Sequence, residues 1–98
     1  MKSYLIGNII VTNSSGYAVY SALAPKIIEE YGGKYLVRGG FTTRIEGSTH
    51  DSRNVVIEFP SRAVAEAWYA SAAYQSIIHH RLNNSTGTLV LVDGYASE

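Results

Sequence analysis

Three runs in this chain, "YLIGNIIV" (residues 4–11), "VVIEF" (55–59) and "LVLV" (89–92), are apolar at odd and even positions alike. Side chains alternate across a strand, so a strand with one face in water is apolar only at every second position. These runs therefore need cover on both faces.

The segments between them supply the first cover. In "GYAVYSALAPKIIEEYGG" (16–33) the residues Tyr20, Leu23, Ile27, Ile28 and Tyr31 recur at helical spacing, with Ser14 or Ser15 as cap and Gly32 and Gly33 as the stop. Pro25 lies inside that pattern, removes one backbone donor, and predicts a kink or a division of the helix. After Pro60, Ser61 caps a second helical region with Val64, Ala67 and Trp68 on one face, and Ser71 opens a further stretch carrying Tyr74, Ile77, Ile78 and Leu82.

Strands are predicted over "SYLIGNIIVT" (3–12), over "KYLVRGG" continuing through "FTTRIEG" to residue 47, over "NVVIEF" (54–59) and over "TLVLVDG" (88–94), with "STHDSR" (48–53) as a polar turn. The order is β-α-β-β-α-β, the ferredoxin-like α+β arrangement of a four-stranded antiparallel sheet with the helices on one face. Ninety-eight residues make one domain, 1–98. No element remains for the second face of the sheet, so its expected cover is another copy packed sheet against sheet, a homodimer.

Composition narrows the partners. Eight basic residues balance eight acidic ones, leaving no overall field to attract nucleic acid or an anionic membrane surface. With no cysteine there is no thiol chemistry, and "MK" leads straight into a short strand without the apolar core of a signal peptide, which makes the cytoplasm the expected location. His79 and His80 are adjacent on a helix, about 100° apart, and His50 is in a turn, so they do not make a ligand set; no metal and no cofactor is expected. "RGG" lacks the glycine spacing and the lysine of a phosphate loop.

Polar residues within the strands are the candidates for function. Asn8, Arg38 and Glu58 each interrupt an otherwise apolar run. If the hairpin is centred on "STH" (48–50), Glu58 falls opposite Gly40 and Arg38 becomes its diagonal neighbour on the same face. Charges on a covered face need a partner or a hydrated cleft. Arg38 and Glu58 are then either an ion pair tying two strands or a pair facing a ligand, and Gly39 and Gly40 permit a bulge or the close approach of a ligand. Tyr20 and Tyr35 offer phenols to such a cleft, while Trp68, Tyr69 and Tyr74 serve as core and interface aromatics or as cleft walls.

The combination "YGGKYLVRGG", "VVIEFPSRAVAEAWYASAAYQSIIHHR" and "LVLVDG" resembles family 1330 of the bacterial domains of unknown function, within the dimeric α+β barrel superfamily. The matching positions are Tyr31, Gly32, Gly33, Arg38, Gly39 and Gly40, then Glu58, Phe59, Pro60 and Ser61, then Trp68, Tyr69, Ser71, Tyr74, Gln75 and Arg81. The resemblance implies a ferredoxin-like protomer whose sheet packs on its twin, with a cleft between sheet and helices or inside the barrel. The superfamily includes cofactor-free monooxygenases and isomerases, which is analogy of fold.

Two functions follow. One is a cofactor-independent small-molecule enzyme in which Arg38 orients an anionic or carbonyl group and Glu58 is the general acid or base, with Asn8, Tyr20, Tyr35, Trp68 and Tyr69 lining the ligand site. The other is a non-catalytic homodimer that binds a small metabolite or is purely structural. A pocket of roughly 300 Å³ with Arg38 and Glu58 on its wall favours the first. Full consumption of both side chains by each other and by backbone favours the second.

Overall fold

The first helix begins one residue before its expected caps. Asn13 accepts a hydrogen bond from the Gly16 backbone N–H (3.3 Å) and another from the Ser15 hydroxyl (3.0 Å), so the amide side chain does the capping. In the computed structural model, which describes residues 1–48 and 52–96, the elements run β1 (Ser3–Val11), α1 (Ser14–Glu30), β2 (Lys34–Arg38), β3 (Arg53–Phe59), α2 (Arg62–Ala70), α3 (Ala72–Gln75), α4 (Ile78–Leu82) and β4 (Ser85–Asp93). The sheet order is β2-β3-β1-β4, with all three pairings antiparallel. This is the ferredoxin-like α+β fold, and the expected topology stands. Ser61 and Ser71 cap α2 and α3 as anticipated, accepting from Val64 N–H (3.2 Å) and Tyr74 N–H (3.1 Å). The expected turn residue His50 lies outside the described residues.

Pro25 neither kinks apart nor divides α1, which runs unbroken through it. A proline donates no hydrogen bond, so the carbonyl four residues earlier, Ser21 O, loses its helical partner. That freed acceptor matters for the site.

The core lies between sheet and helices: Leu5, Ala24, Ile28, Ile57, Phe59, Ala65, Trp68, Tyr74 and Ile77 form one buried cluster. The inward stripe of α1 is Tyr17, Ala24 and Ile28, with Tyr20, Ile27 and Tyr31 packed beside it, whereas Leu23 points outward. A small residue at 24 lets the helix sit close to the sheet, and the stripe centres there. On α2 the inward alanine is Ala65, while Ala67 is exposed. Leu82 is also exposed.

Two strand expectations need correction. Residues 41–47 are not strand: the last ladder contact is Gly39 N–H to Asn54 O (2.8 Å), and Gly39 itself has φ 65°, which turns the chain away. Phe41, fully exposed, belongs to this loop. At the other end β4 starts at Ser85, earlier than residue 88, because Val11 and Ile10 extend the pairing to Ser85 and Thr86.

Candidate functional site

β2 carries a bulge. Lys34 pairs with Glu58 and Tyr35 with Ile57, but then Val37 pairs with Val56 and Arg38 with Val55, so Leu36 is an extra residue. One inserted residue inverts the parity of everything after it. Arg38 therefore faces the helices with Tyr35, Val55 and Ile57, while Glu58 lies on the opposite face of the sheet beside Lys34 and Tyr4. The expected diagonal pair does not form: Glu58 sits 3.2 Å from Lys2 Nζ, and Arg38 Nη2 donates to Ser21 O at 2.7 Å, the carbonyl that Pro25 leaves free. Asn8 is also on the open face, where its amide donates to Asn54 Oδ1 (3.2 Å).

On the helix face a small cavity of about 30 Å³ is lined by Tyr17, Tyr20, Ser21, Tyr35, Arg38, Arg53 and Arg81, together with Leu5, Ile9, Val55, Ile57 and Leu89. Gly7 lies on the same face, between Leu5 and Ile9 and opposite Val55 and Leu89, but the Leu89 side chain already fills the space above it: a Cβ at 7 would come within 3.1 Å of Leu89 Cδ1. By volume the cavity holds roughly two or three water-sized probes.

The walls are rich in donors. Arg38 stacks over the Tyr35 ring (4.8 Å from Cζ to centroid) and Arg53 over Tyr17 (5.9 Å). The Arg53 guanidinium also rests against Gly39, where a Cβ would come within 2.7 Å of Nη1, so glycine at 39 serves both the turn and the arginine. Arg53 Nε is buried without a partner among the described residues. Among the described residues no carboxylate lines the cavity, and none pairs with Arg38, Arg53 or Arg81.

Arg81 Nε donates to the Tyr74 hydroxyl (3.3 Å), which lies 2.8 Å from that of Tyr20. One phenol proton in this chain has no protein acceptor. If Tyr20 donates to Tyr74, the stranded proton is on Tyr74, which is fully buried; if Tyr74 donates, it is on Tyr20, at the cavity wall. An unmet donor in a dry core costs about 1–3 kcal/mol, so the second arrangement is favoured and Tyr20 presents its O–H to the cavity. Burial raises the pKa of Tyr17, Tyr20 and Tyr35 above the ordinary 10.0, Tyr20 the most, with Tyr74 adding to the effect of burial there. All three phenols are therefore neutral donors at neutral pH.

A second, larger groove of about 320 Å³ continues along β4, lined by Arg62, Ala65, Glu66, Trp68, Tyr69 and Leu91, and it shares Leu5, Arg81 and Leu89 with the cavity. Trp68 Nε1 is buried with no partner among the described residues. Of the residues singled out from the sequence, Arg38, Tyr20 and Tyr35 thus meet at the cavity, Trp68 and Tyr69 line the groove, and Asn8 and Glu58 belong to neither. Tyr17, Ser21, Arg53 and Arg81 were missed as site residues. The rings of His79 and His80 lie 3.9 Å apart, closer than adjacent helix positions suggest, and no cluster of three metal-binding side chains is present among the described residues.

The sequence matches the model of a domain of unknown function, DUF1330, over residues 2–95. This chain belongs to the DUF1330 family. Among solved structures, the DUF1330 domain is similar to the RPA0582 protein of unknown function from Rhodopseudomonas palustris, with TM-score 0.80 and 17% identity, over 98% of this chain and 84% of that one. It is also similar to SnoaB, a cofactor-independent oxygenase from Streptomyces nogalater (TM-score 0.69, 11% identity, 98% and 95% covered), and to an antibiotic biosynthesis monooxygenase (TM-score 0.54, 16% identity, 98% and 100% covered). At these identities the likeness is one of fold alone. No curated protein matches the sequence. No helix among the described residues of this DUF1330 domain is long and apolar enough to cross a membrane.

Proposed function

We propose that this DUF1330 domain is a homodimer that binds a small organic anion in the cleft between its sheet and helices. The observation that carries this reading is the imbalance of the cavity: Arg38, Arg53, Arg81 and Tyr20 all line a space whose walls, among the described residues, hold no carboxylate. Such a site stabilises negative charge and leaves donors unsatisfied until an anion or water enters.

Glu58 stands apart from that cleft and is engaged by Lys2, so the general acid–base role expected of it has no support. Arg38 is likewise engaged by Ser21 O, and the cavity it lines is far smaller than 300 Å³, so by the sequence-based criterion the binding reading leads. The enzyme reading, of monooxygenase or isomerase type without a cofactor, is favoured by one feature: the Tyr20 proton among three guanidinium groups suits stabilisation of an enolate or oxyanion. Fold likeness to a cofactor-independent oxygenase adds analogy to it.

The test is an NMR titration with acetate at low ionic strength. Saturable shifts at the Ser21 and Gly39 amides are expected, weakened about tenfold or more by Arg53→Met, as the loss of a charged hydrogen bond worth roughly 1.5–3 kcal/mol requires. Absence of saturable shifts overturns the binding reading. Phenylpyruvate in deuterated buffer tests the enzyme reading in the same samples: loss of its α-protons no faster than in buffer alone, or unaffected by Tyr20→Phe, counts against it.

A further inference from the structure

Resting on the anion-binding reading, we infer that the ligand is a monocarboxylic acid with an apolar, preferably aromatic, body: the carboxylate occupies the arginine–tyrosine cavity and the body lies in the groove along β4. The first argument is adjacency. Leu5, Leu89 and Arg81 line both spaces, so cavity and groove are separated by no more than these side chains, and a molecule that reaches past them touches both.

The second argument is size. The cavity has room for two or three water-sized groups, which suits the two oxygens of a carboxylate and not the four of a phosphate. A planar carboxylate also matches the fork of a guanidinium. The groove, at about 320 Å³, falls in the range of small-molecule sites.

The third argument is chemistry. Leu5, Leu89 and Leu91 form the floor of the groove, and Ala65, Trp68 and Tyr69 supply an aliphatic and aromatic wall. Arg62 and Glu66 at this groove neutralise one another (3.7 Å), and Arg62 is further held by Asp93 (2.9 Å), so no second net charge is called for on the ligand. A dianion or a sugar phosphate would leave polar groups unmet against the leucines.

Isothermal titration of 4-phenylbutyrate, butyrate and the neutral 4-phenylbutan-1-ol, with the Trp68 indole N–H resonance followed in parallel, tests the assignment. This resonance is unambiguous because the chain has a single tryptophan. Expected is an affinity for 4-phenylbutyrate about tenfold or more above that for butyrate, in keeping with burial of a phenyl ring. The indole peak should move with 4-phenylbutyrate and stay still with butyrate. Tyr69→Ala should remove most of the tenfold gain. Equal affinities for the two acids with a stationary indole peak would overturn the amphiphilic ligand and leave the anion site standing. If the acids bind no better than the alcohol, and Arg38→Met changes neither, the anion-binding reading itself falls.

Discussion

Tyr20 is where the chemistry of single residues is most exposed to test. Its phenol, like those of Tyr17 and Tyr35, has its folded-state pKa raised above 10.0, chiefly by burial. A group raised in this way adds stability that is fully present below its unfolded value near pH 10, and that is lost as pH climbs through the folded value. Stability should therefore be flat from neutrality to about pH 10 and then fall, with Tyr20 ionising only as the fold opens. Following phenolate absorbance and circular dichroism together along an alkaline titration checks this. In Tyr20→Phe the alkaline fall should be shallower, and an unchanged slope would show that Tyr20 is not the linked group.

At the scale of elements, the bulge at Leu36 decided what the sequence could reveal. Strand identity, the β-α-β-β-α-β order and the caps at Ser61 and Ser71 are local signals, set by apolar periodicity and by hydroxyls before helices, and they were legible. Register is not local. The parity of Arg38 depends on one unpaired residue in a five-residue strand, and the polar loop beyond Gly39 offered no fixed centre from which to count. Glu58 pairs with Lys34 instead of Gly40, which already separates it from Arg38 by four strand positions, and the bulge then puts the two on opposite faces. Arg53 was missed because it looked like a turn residue, and Ser21 because nothing in the pattern shows that a proline four residues on frees its carbonyl for an arginine. The faces are separable by a thermodynamic cycle. Arg38→Met and Glu58→Gln should be additive in stability to within about 0.3–0.5 kcal/mol, and a larger coupling measured by chemical denaturation would mean that the bulge is misplaced.

For the whole molecule, the strands apolar at both parities remain the strongest constraint. The helices cover one face, and on the other Ile6, Ile10, Val37, Val90 and Val92 are each more than a third exposed in the single chain. That patch is the surface on which the proposed homodimer rests. Val90, which pairs with Ile6, is well placed to probe it. In an isologous dimer Val90→Lys places two unpaired charges in one interface, so sedimentation velocity should show the association weakened by about a hundredfold or more with the monomer still folded. A mutant as dimeric as the parent would count against sheet-to-sheet packing. The empty space between sheet and helices, walled by Arg38, Arg53 and Arg81, carries a different consequence. Solvent fills on unfolding what the folded chain leaves vacant, so the unfolded state occupies the smaller volume and hydrostatic pressure favours it. A ligand that fills the void opposes compression, and the pressure needed to unfold the protein becomes a measure of whether that space is occupied.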